Sequence, residues 1–184
     1  MKNILIAFFS LVFAPYFLSA QYNPKSLERA EETIETFKEN NAKLENYFTD
    51  AYGYIVFPSI AKGGLGIGAA YGVGTVYELG NHIGKAKLTQ ISIGFQLGGQ
   101  DYSQLVFFET EDDFKRFKKN KIELSAQASA VAITKGASAD LAFHEGIAVF
   151  TKTKGGLMYE ASIAGQKLKF KPYKSTQTDS KEIE

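Results

Sequence analysis

The sequence predicts a single α+β domain: a coiled, mostly antiparallel sheet or partly closed β-barrel, with a long N-terminal helix and a short internal helix. Three observations predict it. The chain has 184 residues, enough for one hydrophobic core and short for two. An apolar stripe at helical spacing runs through 24–48. Beyond residue 51 the pattern changes to period two, with small residues along one face of successive strands.

The elements follow in chain order. Lys2 gives a positive start, and Ile4 to Leu18 is apolar except for Ser10 and Pro15. Leu18-Ser19-Ala20 then puts small residues ahead of Gln21, which is the layout of a secretory signal peptide over 1–20. The run of 15 residues is shorter than the roughly 20 that cross a bilayer as a helix. The folded domain is therefore expected over 21–173, in a protein exported to the periplasm or cell envelope.

Asn23-Pro24 is a helix start, a capping side chain followed by Pro at the first helical position. Leu27, Ala30, Ile34, Phe37, Leu44 and Phe48 continue the stripe, interrupted only at Asn41. Four basic and six acidic side chains cover the rest of this helix. A helix lying on a membrane surface carries a basic polar face, so this one is expected to pack its stripe on the domain.

Tyr54-Ile-Val-Phe57 reads as a short strand ended by Pro58. In the following stretch, positions 64, 66, 68, 70, 72 and 74 are Gly or Ala, while 65, 67, 69, 71, 73, 75 and 77 carry larger side chains, apart from Ala69. Glycine weakens a strand, so a whole bare face implies a sharply coiled sheet or another backbone packed very close. Asn81 and Gly84 mark a turn. Alternation resumes over 91–98, and Gln104–Phe108 is a buried strand. Thr110 and Asp113 form a capping box for a helix over 111–119 whose acidic start and basic end complement the helix dipole.

Alanines at 126, 128, 130 and 132 mark another small-residue face. Lys154-Gly155-Gly156 predicts a hairpin between 146–151 and 157–163. Lys167, Lys169 and Lys171 alternate with apolar residues in a last strand, as suits an edge guarded against aggregation. Residues 174–184 read as a disordered tail.

Composition excludes much. With 45% hydrophobic and 14% aromatic residues the chain is not disordered. Formal charge is +1, and removing 1–20 takes away one base and no acid, which argues against nucleic-acid binding. The absence of Cys excludes disulfides, thiolate metal sites, Cys nucleophiles and a lipoprotein anchor. His82 and His144 have no neighbouring carboxylate pattern, so no metal site is expected. Ser138, Asp140 and His144 lie too close in sequence, without a G-x-S-x-G elbow, to read as a hydrolase triad. Gly66-Ile67-Gly68-Ala69-Ala70-Tyr71-Gly72 misses the dinucleotide fingerprint by one residue and precedes no helix. No catalytic residue, enzyme activity or cofactor is expected.

Several separated motifs carry a resemblance. Tyr54-Ile-Val-Phe-Pro-Ser-Ile-Ala-Lys-Gly-Gly-Leu-Gly-Ile-Gly68, Gly94-Phe-Gln-Leu-Gly-Gly-Gln-Asp-Tyr102, Gly136-Ala-Ser-Ala139, Ala148-Val-Phe-Thr-Lys-Thr-Lys-Gly-Gly-Leu157 and Ser162-Ile-Ala-Gly165 occur in order. Together they resemble the SYLF domain family over roughly 27–170. The resemblance implies a phospholipid-binding, membrane-peripheral module. Eukaryotic members bind phosphoinositides and some bind actin beside SH3 or FYVE domains; bacterial members are mostly exported single domains. This chain shows no SH3 or FYVE region, and an exported protein is not expected to meet actin.

Under that resemblance the best headgroup contact is Lys62 with Gly63 and Gly64, a cation beside unshielded backbone amides. Lys85, Lys87, Lys152 and Lys154, in or beside turns, are candidates for a basic rim. The alternative is a structural or interaction protein of the envelope with no lipid ligand. An eight-stranded outer-membrane barrel fits the length but not the capped helices or the charged terminus.

Overall fold

The computed structural model describes residues 23–120, 122–124, 130–132, 143–156 and 165–173. The expected signal peptide and tail, and the partner strand 157–163 of the expected hairpin, lie outside these residues. The elements are α1 (Pro24–Asn40), α2 (Leu44–Asp50), β1 (Gly53–Glu78), β2 (Asn81–Phe108), α3 (Glu111–Lys118), β3 (Glu123–Leu124), β4 (Ala130–Ala132), β5 (Ile147–Gly156) and β6 (Gln166–Pro172). The predicted α+β class is observed.

The N-terminal helix starts as expected, with Asn23 Oδ1 accepting from the Lys25 N–H at 3.1 Å and Pro24 in the first turn. It does not run to 48. Asn41 leaves the helical region (φ −153°, ψ 100°), and its side chain accepts from the Lys43 N–H at 3.1 Å. This local bond competes with the helix ladder and divides the stripe into α1 and α2.

Among the described residues, several of the short strands that the sequence suggests are segments of two long ones. β1 and β2 pair antiparallel from Gly53↔Phe108 to Glu78↔Asn81 as one long ribbon. Its turn is Leu79-Gly80, both at positive φ (48° and 77°), rather than Asn81–Gly84. Positive φ at two successive positions suits the right-handed twist of a hairpin. β2 then takes β6 along residues 84–89 and β5 along 100–108. β3 extends β6, and β4 adds to β5 in parallel, against the otherwise antiparallel pairing.

Pro58 does not end β1. It sits in a register shift between Phe57 and Ile60, where the extra residue changes which side chains face inward. Ile55 and Phe57 point in before it, and Ile60 and the even positions after it. The ribbon then folds back on itself. A Cβ at Gly72 would lie 2.7 Å from Ile60 Cγ1, and one at Gly74 would lie 2.6 Å from the Val56 oxygen. The bare glycine face therefore exists because one half of β1 crosses directly over the other.

Two cores result. Inside the folded ribbon, Ile55, Phe57, Val76, Leu88, Val106 and Phe108 meet Phe114 and Phe117 of α3. On the outer face of the other half, Ala30, Phe37 and Leu44 of α1 and α2 cover Val56, Leu105, Phe107 and Phe150. Each fully buried Phe contributes about 1.5–3 kcal/mol, so α3 and α1 are fixed mainly by these rings. The capping box of α3 is formed, Thr110 and Asp113 each accepting from the other's N–H. Its basic residues are engaged locally: Lys115 with Glu111 at 2.9 Å, Arg116 with Asp113 at 2.6 Å and Lys118 with Glu78 at 2.8 Å.

Candidate functional site

The register brings together side chains that the sequence keeps far apart. On the half of the ribbon that α1 covers only at its margin, where Thr75 donates to the Ser26 oxygen, odd-numbered residues of β1, β2 and β6 share the outer face, because side chains alternate along each strand. Thr75, Lys85 and Lys171 form one row across the three strands, and Val73, Lys87 and Lys169 the next. Tyr71, Thr89 and Lys167 follow, then Ala69 beside Ile91. Five lysines thus stand on neighbouring strands, and directly opposed like charges destabilise a sheet by a few tenths to about 1 kcal/mol. Glu123 meets them at one corner, 3.7 Å from the Lys167 Nζ.

Beside this lysine grid lies an apolar strip. Ile67 is 66% exposed, Tyr71 51%, Val73 41% and Ile91 77%. These are large hydrophobic side chains left in water on the same face as the lysines. A grid of cations bordered by exposed hydrophobics is chemically suited to an anionic surface with an apolar interior.

The residues singled out from the sequence are placed as follows. Lys62, Gly63 and Gly64 are not in a turn but in mid-β1, paired with Gln100, Gly99 and Gly98. Extended ladder backbone does not form the concave group of amides that an anion nest requires. Lys62 is only 3% exposed and shares the inner face with Gln90, Gln100, Gln104 and Gln166. There Gln104 donates to Gln166 Oε1 at 2.9 Å, and Gln166 donates to the Tyr102 hydroxyl at 3.1 Å. Lys85 and Lys87 are half-buried strand residues of the grid, not turn residues. Lys152 and Lys154 belong elsewhere, in β5 beside Glu32, Thr33 and Thr36 of α1. The candidate lysines therefore do not make one rim.

Three lysines of the grid, Lys167, Lys169 and Lys171, were legible only as a charged strand. β6 is not a free edge along its whole length, since β2 flanks it on one side and β3 pairs at Lys167 on the other. The shared period-two pattern of 85–87 and 167–171 was visible; the register that aligns them was not.

A cavity of about 440 Å³ opens at the margin of this face, between α1 and the glycine tract of β1. Arg29, Lys85, Tyr71, Val73, Gly72 and Gly74 are among its lining residues. Among the described residues no group of three or more His, Cys, Asp or Glu is placed to hold a metal ion. Ser138 and Asp140 lie outside the described residues, while His144 forms a bridge with Ile147. His82 packs edge-on to Tyr173 at 5.8 Å. No helix among the described residues is long and apolar enough to cross a membrane.

The family model described as Ysc84, a Las17-binding protein actin regulator, matches residues 89–177. A curated relative, Beta cell expansion factor A of Aeromonas veronii, is 28% identical over 162 residues, covering 82% of this chain. The chain spans 60% of that relative's length. The matched segment contains residues 89–108 of β2 and all of β5 and β6, and so includes Lys167, Lys169 and Lys171 but not Lys85 or Lys87. The family-model match over residues 89–177 and this relative both support the SYLF resemblance that the ordered motifs carry.

Proposed function

We propose that the protein is a non-enzymatic, membrane-peripheral phospholipid-binding module that docks the outer face of β1, β2 and β6 on an anionic bilayer. The observation that carries this function is the five-lysine grid bordered by exposed Ile67, Tyr71, Val73 and Ile91. Each Lys near an anionic surface contributes about 1 kcal/mol of attraction, and apolar side chains add binding that salt does not screen. The export expected from residues 1–20 supports action at the cell envelope. The actin regulation named for the matching family model is not part of the proposal, because nothing on this face favours a protein over a bilayer.

Co-sedimentation with phosphatidylcholine vesicles containing phosphatidylglycerol tests this function. Lys167→Glu, Lys169→Glu and Lys171→Glu combined should weaken binding by at least about tenfold, since three attractions become repulsions. Lys152→Glu with Lys154→Glu, on the other patch, should bind like the parent. Undiminished binding of the β6 variant would remove the docking face. Absence of binding by the parent to any anionic vesicle would favour a structural protein of the envelope.

A further inference from the structure

Another cavity lies on the other half of the ribbon from the lysine grid, between α2 and the chain that enters β5. It holds about 350 Å³, within the range of pockets that enclose small ligands. Among the described residues, Lys43, Asn46, Tyr47, Asp50 and Phe143 line it. The first four lie at i, i+3, i+4 and i+7, the spacing of one face of a helix. Leu44 and Phe48 of the same segment turn to the core, which leaves this face to the cavity.

Aromatic rings form one part of the wall and polar groups the other. The Tyr47 ring stands edge-on to Phe150 at 4.9 Å and tilted to Phe107 at 5.5 Å, so buried rings hold it in place. Phe143 meets it at 5.6 Å, and both rings are only partly buried. The side chains of Asn46 and Asp50 make no hydrogen bond or ion pair among the described residues, although both border the cavity. An amide donates and accepts, a carboxylate accepts and an ammonium donates. This mixture matches hydroxyls, which do both, and the opposite signs of Lys43 and Asp50 favour a ligand without net charge. A pyranose meets both requirements, with C–H bonds across one face to lie on an aromatic ring and hydroxyls around its edge. We propose that this cavity binds a neutral saccharide, its C–H face against the Tyr47 and Phe143 rings and its hydroxyls on Asn46, Asp50 and Lys43. The site is independent of the membrane-binding reading, and its test uses no vesicle.

The test uses the full chain and the methyl glycosides of glucose, galactose, mannose and N-acetylglucosamine. Calorimetric titration should give saturable one-site binding of at least one of them. Nuclear magnetic saturation passed from protein to that sugar should fall mainly on the C–H protons of one ring face. Asp50→Ala, at an exposed position, should weaken the binding about tenfold, the size of one hydrogen bond to a charged group. Tyr47→Ala should abolish it, whereas Tyr47→Phe should keep most of it because the ring face remains. If Tyr47→Ala fails to fold, which thermal unfolding reports, Asp50→Ala and Tyr47→Phe decide. Absence of saturable binding by all four glycosides overturns the site. Binding that Asp50→Ala leaves unchanged, or that tetramethylammonium displaces, also overturns it, the latter because the rings would then be a cation site.

Discussion

Tyr77 and Tyr102 place their phenols inside the fold, and burial pushes both well above the ordinary tyrosine value. A phenolate needs water that these positions withhold. Because the folded state holds these protons more tightly than the unfolded chain, their contribution is fully present below the unfolded tyrosine value, about pH 10, and is lost as pH rises above it. Ultraviolet titration should therefore show exposed tyrosines ionising first, with Tyr77 and Tyr102 ionising only as near-ultraviolet circular dichroism reports unfolding. Smooth ionisation of all tyrosines in the folded protein would contradict their burial. At this scale the sequence was only partly legible. Thr110, Asp113 and Asn23 announced their caps because a cap depends on residues two or three positions apart. Lys62 beside two glycines looked exposed; its inward orientation depends on a phase set by the register shift at Pro58, which no local pattern reports.

The glycine tract is the element whose purpose was most visible beforehand. Period-two glycines implied close backbone contact, and the crossing of 72–74 over 56–60 is that contact. Gly74→Val should therefore destabilise the protein by about 2 kcal/mol or more, since the added atoms meet the Val56 oxygen and the buried Phe57 ring. Gly72→Val should behave similarly against Ile60. Chemical denaturation would measure both, and unchanged midpoints would remove the crossing as the reason for the glycines. What stayed hidden was the length of the strands. Pro normally ends or edges a strand, and β1 accommodates Pro58 at a register shift, on a strand that pairs with β2 alone among the described residues. Several expected short strands were thus segments of two long ones. The glycine face of β1 is legible in the sequence, but the fold-back that uses it is a long-range property.

For the whole molecule, net charge misleads because charge is segregated. The chain is formally +1, which alone predicts weak attraction to an anionic bilayer. Yet Lys85, Lys87, Lys167, Lys169 and Lys171 collect on the outer face of the ribbon, while six acids lie along the N-terminal helical segment 24–48. Over distances longer than the ~8 Å Debye length at physiological salt, these fields largely cancel or are screened. At contact the bilayer meets only the local face. Binding should therefore fall as salt rises but not vanish, because Ile67, Tyr71, Val73 and Ile91 supply burial that ions do not screen. Ile91, the most exposed of them, would gain about 1.5–3 kcal/mol if fully buried in hydrocarbon. Ile91→Ser should accordingly remove most of the salt-resistant fraction while leaving the salt-sensitive slope intact, and β6 lysine reversal should flatten the slope while leaving Ile91's contribution. Vesicle titrations of both variants at low and high salt separate the two. If Ile91→Ser changed the slope, or if high salt abolished parental binding completely, the apolar strip would have no part in docking.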